Sequence, residues 1–365
     1  MKIGIDGYEA NIQSRVGIGQ YAYQLLNQLH RLDKENEYTI FLPQSPVADM
    51  PHERENWRYI IGHTGIFWTI FQLPSLLKKK QLDLFFSPTH YAPWFTDVPC
   101  ILSIMDLSYL RYPELFRIKD YLQLKYMGSI SIKRAKKILT ISEFSKKEII
   151  EHYKYPKDDI VVTYPGFKSN LKSQISKLQP KTRKLTDERY ILFVGTIQPR
   201  KNIVRLIEAF EKLDDNKTKL VMVGKKGWLF EPILERIKRS PKILSIIYRN
   251  FVDNTELTAL YANAACFCLP SLYEGFGITV VEALSFGCPV VISNSSSLPE
   301  VAGNAGIYVN PLDTSDIARG LKEALQLPGE EKENLVKKGK THITKFSWEK
   351  CARKTLEVIK SFAPS

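Results

Sequence analysis

Pro270-Ser271-Leu272-Tyr273-Glu274-Gly275-Phe276-Gly277-Ile278-Thr279-Val280-Val281-Glu282-Ala283-Leu284-Ser285-Phe286-Gly287 is the stretch on which the fold is decided. The apolar run before it, residues 264–269, reads as a buried strand of a parallel sheet. Pro270 ends that run, and Gly275 and Gly277 let the backbone turn tightly and approach a ligand with no Cβ in the way. A short helix is predicted over 278–286, with Gly287 as the left-handed residue past its end. Residues 289–293 read as a second buried strand. A glycine-rich turn between a strand's carboxyl end and a helix N-terminus points several amides outward, and α/β folds bind phosphate there.

Two carboxylates bracket the turn. Glu274 precedes the helix, and Glu282 lies just over one turn inside it, within the otherwise apolar TVVEALSF. A buried carboxylate needs partners, and the hydroxyls of a sugar or ribose are suitable ones; a capping or solvated glutamate is the plainer alternative. PSLYEGFGITVVEALSFGCPVV resembles the Glu-x7-Glu signature of retaining glycosyltransferases of the α/β GT-B class, with two Rossmann-like, doubly wound parallel-sheet domains facing across a cleft. That large group includes bacterial mannosyl- and glucosyltransferases. The resemblance implies that Glu274 approaches the donor sugar and that the amides of Gly275, Phe276 and Gly277 hold its hydroxyls. It also implies that amides near Ile278 and Thr279 take the β-phosphate and that Glu282 binds the nucleotide ribose.

A second motif follows the buried run 190–194 (YILFV): Gly195-Thr196-Ile197-Gln198-Pro199-Arg200-Lys201-Asn202. Adjacent cations at a strand's carboxyl end stabilise the negative charge that develops on a departing diphosphate. A solvated basic turn is the plain alternative. In the family a basic pair in this loop holds the diphosphate; Lys201 matches its lysine, and Arg200 stands in for an arginine that Thr196 replaces. Gly17-Ile18-Gly19-Gln20-Tyr21-Ala22 fits Gly-x-Gly-x-x-Ala, a weak signal alone. The first glycine comes ten residues after the first strand ends, and no ribose-binding acid follows the second strand, which argues against NAD. Gly17 and Gly19 match a family loop close to the donor phosphates. One departure stands out: relatives place a histidine before Asp106, where this chain has Met105. Either that role is dispensable or shifted, with His90 as the substitute, or the protein is less active than its relatives.

At 365 residues, with 44% hydrophobic and 11% aromatic residues, the chain reads as globular with two domains. The five cysteines show no metal-ligand spacing and fall mostly in apolar segments, so they are expected to be reduced and buried in a cytoplasmic protein. MKIGIDGYEA reads as a strand and turn rather than a signal peptide, and no apolar run reaches membrane-spanning length. The net charge of +13 asks for a partner. No nucleic-acid-binding motif is found, so an anionic membrane surface, a phosphate-bearing donor or solvated helix faces are the readings. FWTIFQLPSLLKKK, residues 67–80, is either a core helix with a lysine-rich end, the favoured reading, or an interfacial segment.

Strands are expected near 2–6, 39–42, 82–87, 99–106, 137–142 and 160–164, alternating with helices over 17–32, 115–135 and 143–153. The second half repeats the alternation. Residues 1–166 would carry the acceptor side and 189–345 the nucleotide-sugar side, joined by a polar linker over 167–188. A last helix over 347–362, with Ser347 as N-cap, would pack back on the first domain. The expected reaction moves a hexose, mannose or glucose type, from a nucleoside diphosphate sugar to a hydroxyl of a glycan or lipid-linked acceptor in envelope polysaccharide synthesis. The protein would be cytoplasmic, with peripheral contact at the inner membrane face. No Asp-x-Asp pair occurs, so neither a metal nor another cofactor is expected. A sugar-nucleotide epimerase, a glucan phosphorylase and a non-catalytic sugar-nucleotide-binding homologue are the alternatives.

Overall fold

The computed structural model describes residues 1–63, 68–167 and 188–363. The expected linker over 167–188 lies outside the described residues but for its two ends, as does Phe67. The chain divides into two compact units. One comprises Met1–Pro113, Ile118–Gly166 and Phe346–Ser365, the other Glu114–Arg117 and Phe167–Lys345.

The first unit holds a parallel sheet of seven strands: β1 (Lys2–Asp6), β2 (Glu37–Leu42), β3 (Trp57–Ile61), β4 (Leu84–Ser87), β5 (Cys100–Ile104), β6 (Lys137–Thr140) and β7 (Ile160–Val162). Their order is β3-β2-β1-β4-β5-β6-β7. The second unit has six parallel strands: β8 (Tyr190–Val194), β9 (Lys219–Val223), β10 (Ile246–Arg249), β11 (Cys266–Leu269), β12 (Val290–Ser293) and β13 (Gly306–Val309), in the order β10-β9-β8-β11-β12-β13. In each sheet the direction of winding reverses once, between β1 and β4 and between β8 and β11. Such a reversal opens a crevice at the strands' carboxyl ends, because the loops on either side leave in opposite directions. Central strands such as YILFV and CFCL are buried at every position, which their unbroken apolar sequence requires when helices cover both faces.

β3 escaped the sequence reading. It is an edge strand whose WRYII buries only Trp57 and exposes Arg58 and Ile61, so no continuous buried run announces it. Helices Glu231–Lys238 and Gly329–His342 escaped for the converse reason. They bury only Ile233 and Gly339 respectively, so neither carries a wide apolar face. Residues 107–113 contain a single helical turn, Ser108–Arg111.

The core reading of residues 67–80 holds in part. A π-helical turn, Trp68–Gln72, runs into helix Leu73–Lys78, and Trp68, Leu73 and Leu77 are buried while Phe71 is exposed. All five cysteines are buried and unbridged. The last helix, Trp348–Lys360, belongs to the first unit and is capped by Ser347, whose Oγ accepts from the Lys350 amide at 3.1 Å. It lies against helix Ile18–Leu32, with the Tyr21 and Trp348 rings 6.0 Å apart and Arg31 paired to Glu349 at 2.7 Å. Gly166 permits this return. A Cβ there would sit 2.1 Å from the Trp348 nitrogen.

Candidate functional site

The switch point of the second sheet gathers both motifs. β8 and β11 are neighbours, so the loops that leave their carboxyl ends, Gly195–Asn202 and Pro270–Gly277, emerge side by side. The Leu272 amide donates to the Arg200 carbonyl at 2.9 Å and ties them together. Asn202 is the rivet. It adopts a left-handed conformation (φ 59°), and its Nδ2 donates to the carbonyls of Pro270 at 2.9 Å and Pro311 at 2.7 Å. An asparagine tolerates that backbone where most residues do not.

Three charged side chains meet there. Lys201 Nζ donates to Glu274 Oε1 at 2.6 Å, and Arg200 NH1 reaches Glu274 Oε2 at 3.4 Å and the Tyr273 carbonyl at 2.6 Å. Glu274 is only 5% exposed. Burial alone would raise its pKa, but the charges of Lys201 and Arg200, aided by the Lys201 hydrogen bond, hold it below the usual carboxylate value. It is therefore ionised at neutral pH. Two cations share one carboxylate, so the cluster keeps one net positive charge.

The glycine turn is set by the segment before helix Leu298–Ala302. Ser297 Oγ donates to the carbonyls of Glu274 at 2.9 Å and Phe276 at 3.0 Å, and Ser296 Oγ accepts from the Glu274 amide at 3.1 Å. Gly277 needs to be glycine twice over. Its φ is +94°, and a Cβ would meet Leu298 Cδ2 at 2.6 Å. It is also the N-cap of helix Ile278–Phe286, so the N-cap residue has no side chain to accept from the first-turn amides, the kind of helix end at which anions bind. Gly287 closes the helix in the expected left-handed conformation. Glu282, on the same helix, accepts a hydrogen bond from the Tyr261 hydroxyl at 3.0 Å. Burial, then the charge and hydrogen bond of Glu282, push the Tyr261 phenol well up, so it remains a donor. A further loop flanks the cations: the Gly227 amide donates to Ile197 O, and the Ile197 amide to Lys225 O, each at 2.9 Å. That brings Lys225 and Lys226 beside residues 195–198.

Arg200, Lys201, Glu274, Gly275, Phe276, Gly277, Ile278, Thr279 and Glu282 thus all belong to the second unit, while Gly17 and Gly19 belong to the first. The two glycines have different reasons for being small. Gly17 has φ +49° and open space around its Cβ direction; a Cβ on Gly19 would lie 2.9 Å from Glu9 O. Asn202, Ser296, Ser297 and Tyr261 escaped the sequence reading. An asparagine just before the helix Ile203–Glu211 is a local signal that could have marked the first; nothing local marks the others.

In the first unit the Met105 side chain is buried, and its carbonyl accepts from Ser145 Oγ at 3.0 Å. Half-buried His90 has its pKa lowered by burial, against the opposing charge of Asp106. Asp106 in turn accepts from the amide and hydroxyl of Ser108. At the end of β1, Asp6 accepts from the Tyr8 amide at 3.0 Å and Trp68 Nε1 at 3.1 Å, and burial raises its pKa from 3.8 to about 6. Among the described residues no group of three or more His, Cys, Asp or Glu side chains is placed to hold a metal ion. No helix among them is long and apolar enough to cross a membrane.

The family described as "Glycosyl transferases group 1" matches residues 174–342, and "Glycosyltransferase Family 4" matches residues 16–170. O-antigen chain mannosyltransferase B of Escherichia coli is 30% identical over 94% of this chain and 96% of its own. Among solved structures, sucrose-phosphate synthase from Thermosynechococcus elongatus superposes with a TM-score of 0.78 at 18% identity, covering 99% of this chain and 98% of that one. Anabaena HepE in complex with UDP-glucose gives 0.77 at 16%, covering 99% and 100%. These likenesses show the shared fold, GT-B.

Proposed function

The chain belongs to the group 1 glycosyltransferases, and from that premise we propose that it moves a hexose from a nucleoside diphosphate sugar to a hydroxyl of a growing envelope polysaccharide, with retention at the anomeric carbon. The acceptor is a glycan or lipid-linked glycan, and mannose is the favoured sugar, as in the O-antigen mannosyltransferase. A lipid-linked acceptor would keep the protein in peripheral contact with an anionic membrane, on its cytoplasmic face.

The observation that carries this reading is the Arg200–Lys201–Glu274 cluster beside a glycine-capped helix N-terminus. As the bond from the anomeric carbon to the β-phosphate oxygen breaks and one to the acceptor oxygen forms, negative charge grows on the diphosphate, whose departing oxygen takes the acceptor hydroxyl's proton. The net positive charge of the cluster and the positive end of helix Ile278–Phe286 are fixed in place to meet it, at no cost in reorganisation. Glu274 orients both cations and borders the sugar; Gly275, Phe276 and Gly277 offer backbone amides to its hydroxyls. Glu282 takes the ribose, with Tyr261 holding its carboxylate in position. The reading requires no metal ion and no other cofactor.

The test is a transfer and hydrolysis panel, GDP-mannose against UDP-sugars, run with and without EDTA. Turnover of one donor, undiminished by chelation, is the expected result. Failure to turn over any donor would overturn the transfer; loss of nucleoside diphosphate binding on chelation, restored by magnesium or manganese, would overturn metal independence.

A further inference from the structure

Helix Ile118–Arg134 is apolar on the wrong side. Facing the fold it buries only Gly128, Ser131 and Ile132. Facing outward, Ile118, Leu122, Tyr126 and Ile130 are 77%, 41%, 62% and 37% exposed. They recur every four residues, a row that drifts about 40° per step at 3.6 residues per turn and so forms one continuous stripe along the helix. Lys119 and Lys133, exposed, share that face near its two ends. A helix that exposes four large apolar side chains among lysines is built to be covered.

The stripe does not end with the helix. Arg134 NH2 donates to the Thr96 carbonyl at 2.7 Å, which places the helix end beside Phe95. Phe95 is 56% exposed and stacks on Phe71, itself 59% exposed, with ring planes 19° apart. A cleft next to this pair is lined by Lys78, Lys80 and Arg134, with Asp97 as its one acid. Apolar rings and aliphatic side chains thus form the centre, and long cations the margin. Lysine and arginine can bury their stems against hydrocarbon while their heads reach anionic headgroups.

We propose that this face, helix Ile118–Arg134 with the Phe71–Phe95 pair, seats the protein on an anionic bilayer. The four stripe residues and two rings would enter the headgroup–acyl boundary, and Lys78, Lys80, Lys119, Lys133 and Arg134 would meet lipid phosphates. Charge decides against a second copy as the occupant, since two such faces would bring like cations together. The inference deepens the proposed transfer to a lipid-linked acceptor, because it names the surface that holds the enzyme where such an acceptor lies.

The full chain is sedimented with vesicles of phosphatidylcholine alone or with about a third phosphatidylglycerol, with no donor or acceptor present. Binding to the anionic vesicles only, falling as salt rises, is expected. Ile118→Ser/Leu122→Ser/Tyr126→Ser/Ile130→Ser together should weaken it at least about tenfold with an unchanged circular dichroism spectrum, since these side chains are exposed. Brominated lipid should quench a new tryptophan in Tyr126→Trp but not one in Leu244→Trp, an exposed site of the second unit. No binding to anionic vesicles, equal binding by the serine variant, equal quenching at both sites, or a parent dimer that the serine changes dissociate would each overturn the proposal. If vesicle binding fails while hexose transfer to a water-soluble glycan persists, the surface assignment falls and the transferase reading stands.

Discussion

Replacing Glu274 by glutamine should strengthen the binding of free nucleoside diphosphate while it abolishes most turnover. In the structure Lys201 Nζ is held 2.6 Å from Glu274 Oε1. A phosphate oxygen bound on the far side of the same ammonium would stand about 5 Å from the carboxylate, given ordinary hydrogen-bond lengths. At an effective permittivity of about 20, two unit negative charges at that distance repel by about 3 kcal/mol. Arg200 at 3.4 Å offsets part of this, which leaves about 1.5–3 kcal/mol, or roughly 10- to 100-fold in affinity. The same change leaves two largely buried cations without a counter-ion, at a cost to stability of about 3–5 kcal/mol. Diphosphate should restore much of that, so its stabilising effect on Tm should be larger in the variant than in the parent. Titration calorimetry with nucleoside diphosphate, on protein shown to be folded by circular dichroism, measures the first effect and thermal unfolding the second. A folded Glu274→Gln protein that binds diphosphate no better than the parent would refute the reasoning, because Arg200 and Lys201 would then not face the phosphates.

Glu282→Gln, which loses a charge-assisted hydrogen bond of about 1.5–3 kcal/mol, should weaken donor binding by one to two orders of magnitude in calorimetry; Tyr261→Phe should weaken it less, and parent-like affinity in Glu282→Gln would place the ribose elsewhere. Gly277→Ala should destabilise the protein by about 1–3 kcal/mol, read as a lower denaturant midpoint, because its positive φ and the contact with Leu298 both oppose a Cβ; Leu298→Ala added to it should recover only the contact. For Asp6, burial raises the folded pKa from 3.8 to about 6, so the folded state holds the proton more tightly than the unfolded chain. Its contribution to stability is full below about pH 4, declines as pH rises to about 6 and is level beyond, a loss of about 3 kcal/mol. Asp6→Asn keeps the oxygen that accepts from Tyr8 and Trp68, so denaturation from pH 4 to 8 should lack that decline; a variant whose profile parallels the parent's would show that Asp6 does not cause it.

Where the physics is local, the sequence was legible. YILFV could be read as a strand to the residue, because full burial demands an unbroken apolar run. Helix Ile278–Phe286 was equally plain, since a glycine must stand at each end. WRYII was opaque because an edge strand need not be apolar throughout. The site divides the same way. The cations and glutamates were visible as motifs, but the ion pairs that join Lys201 and Arg200 to Glu274 span more than seventy residues. They follow from the adjacency of β8 and β11, a property of strand order that no local pattern encodes. Tyr261 and Ser297 were missed for that reason too: each acts on a partner about twenty residues away that only the finished sheet brings near.

The return of helix Trp348–Lys360 to the first unit sets the order in which the protein can be completed. A ribosome releases residues Phe167–Lys345 before the last helix exists, so almost all of the second unit is available to fold while the first still lacks an element. Until that helix emerges, Tyr21 has no Trp348 ring against it, Arg31 no Glu349, and the Thr163 carbonyl no Cys351 thiol. Domains made first usually fold first. Here the half synthesised first is finished last, and its exposed apolar seam awaits the end of translation.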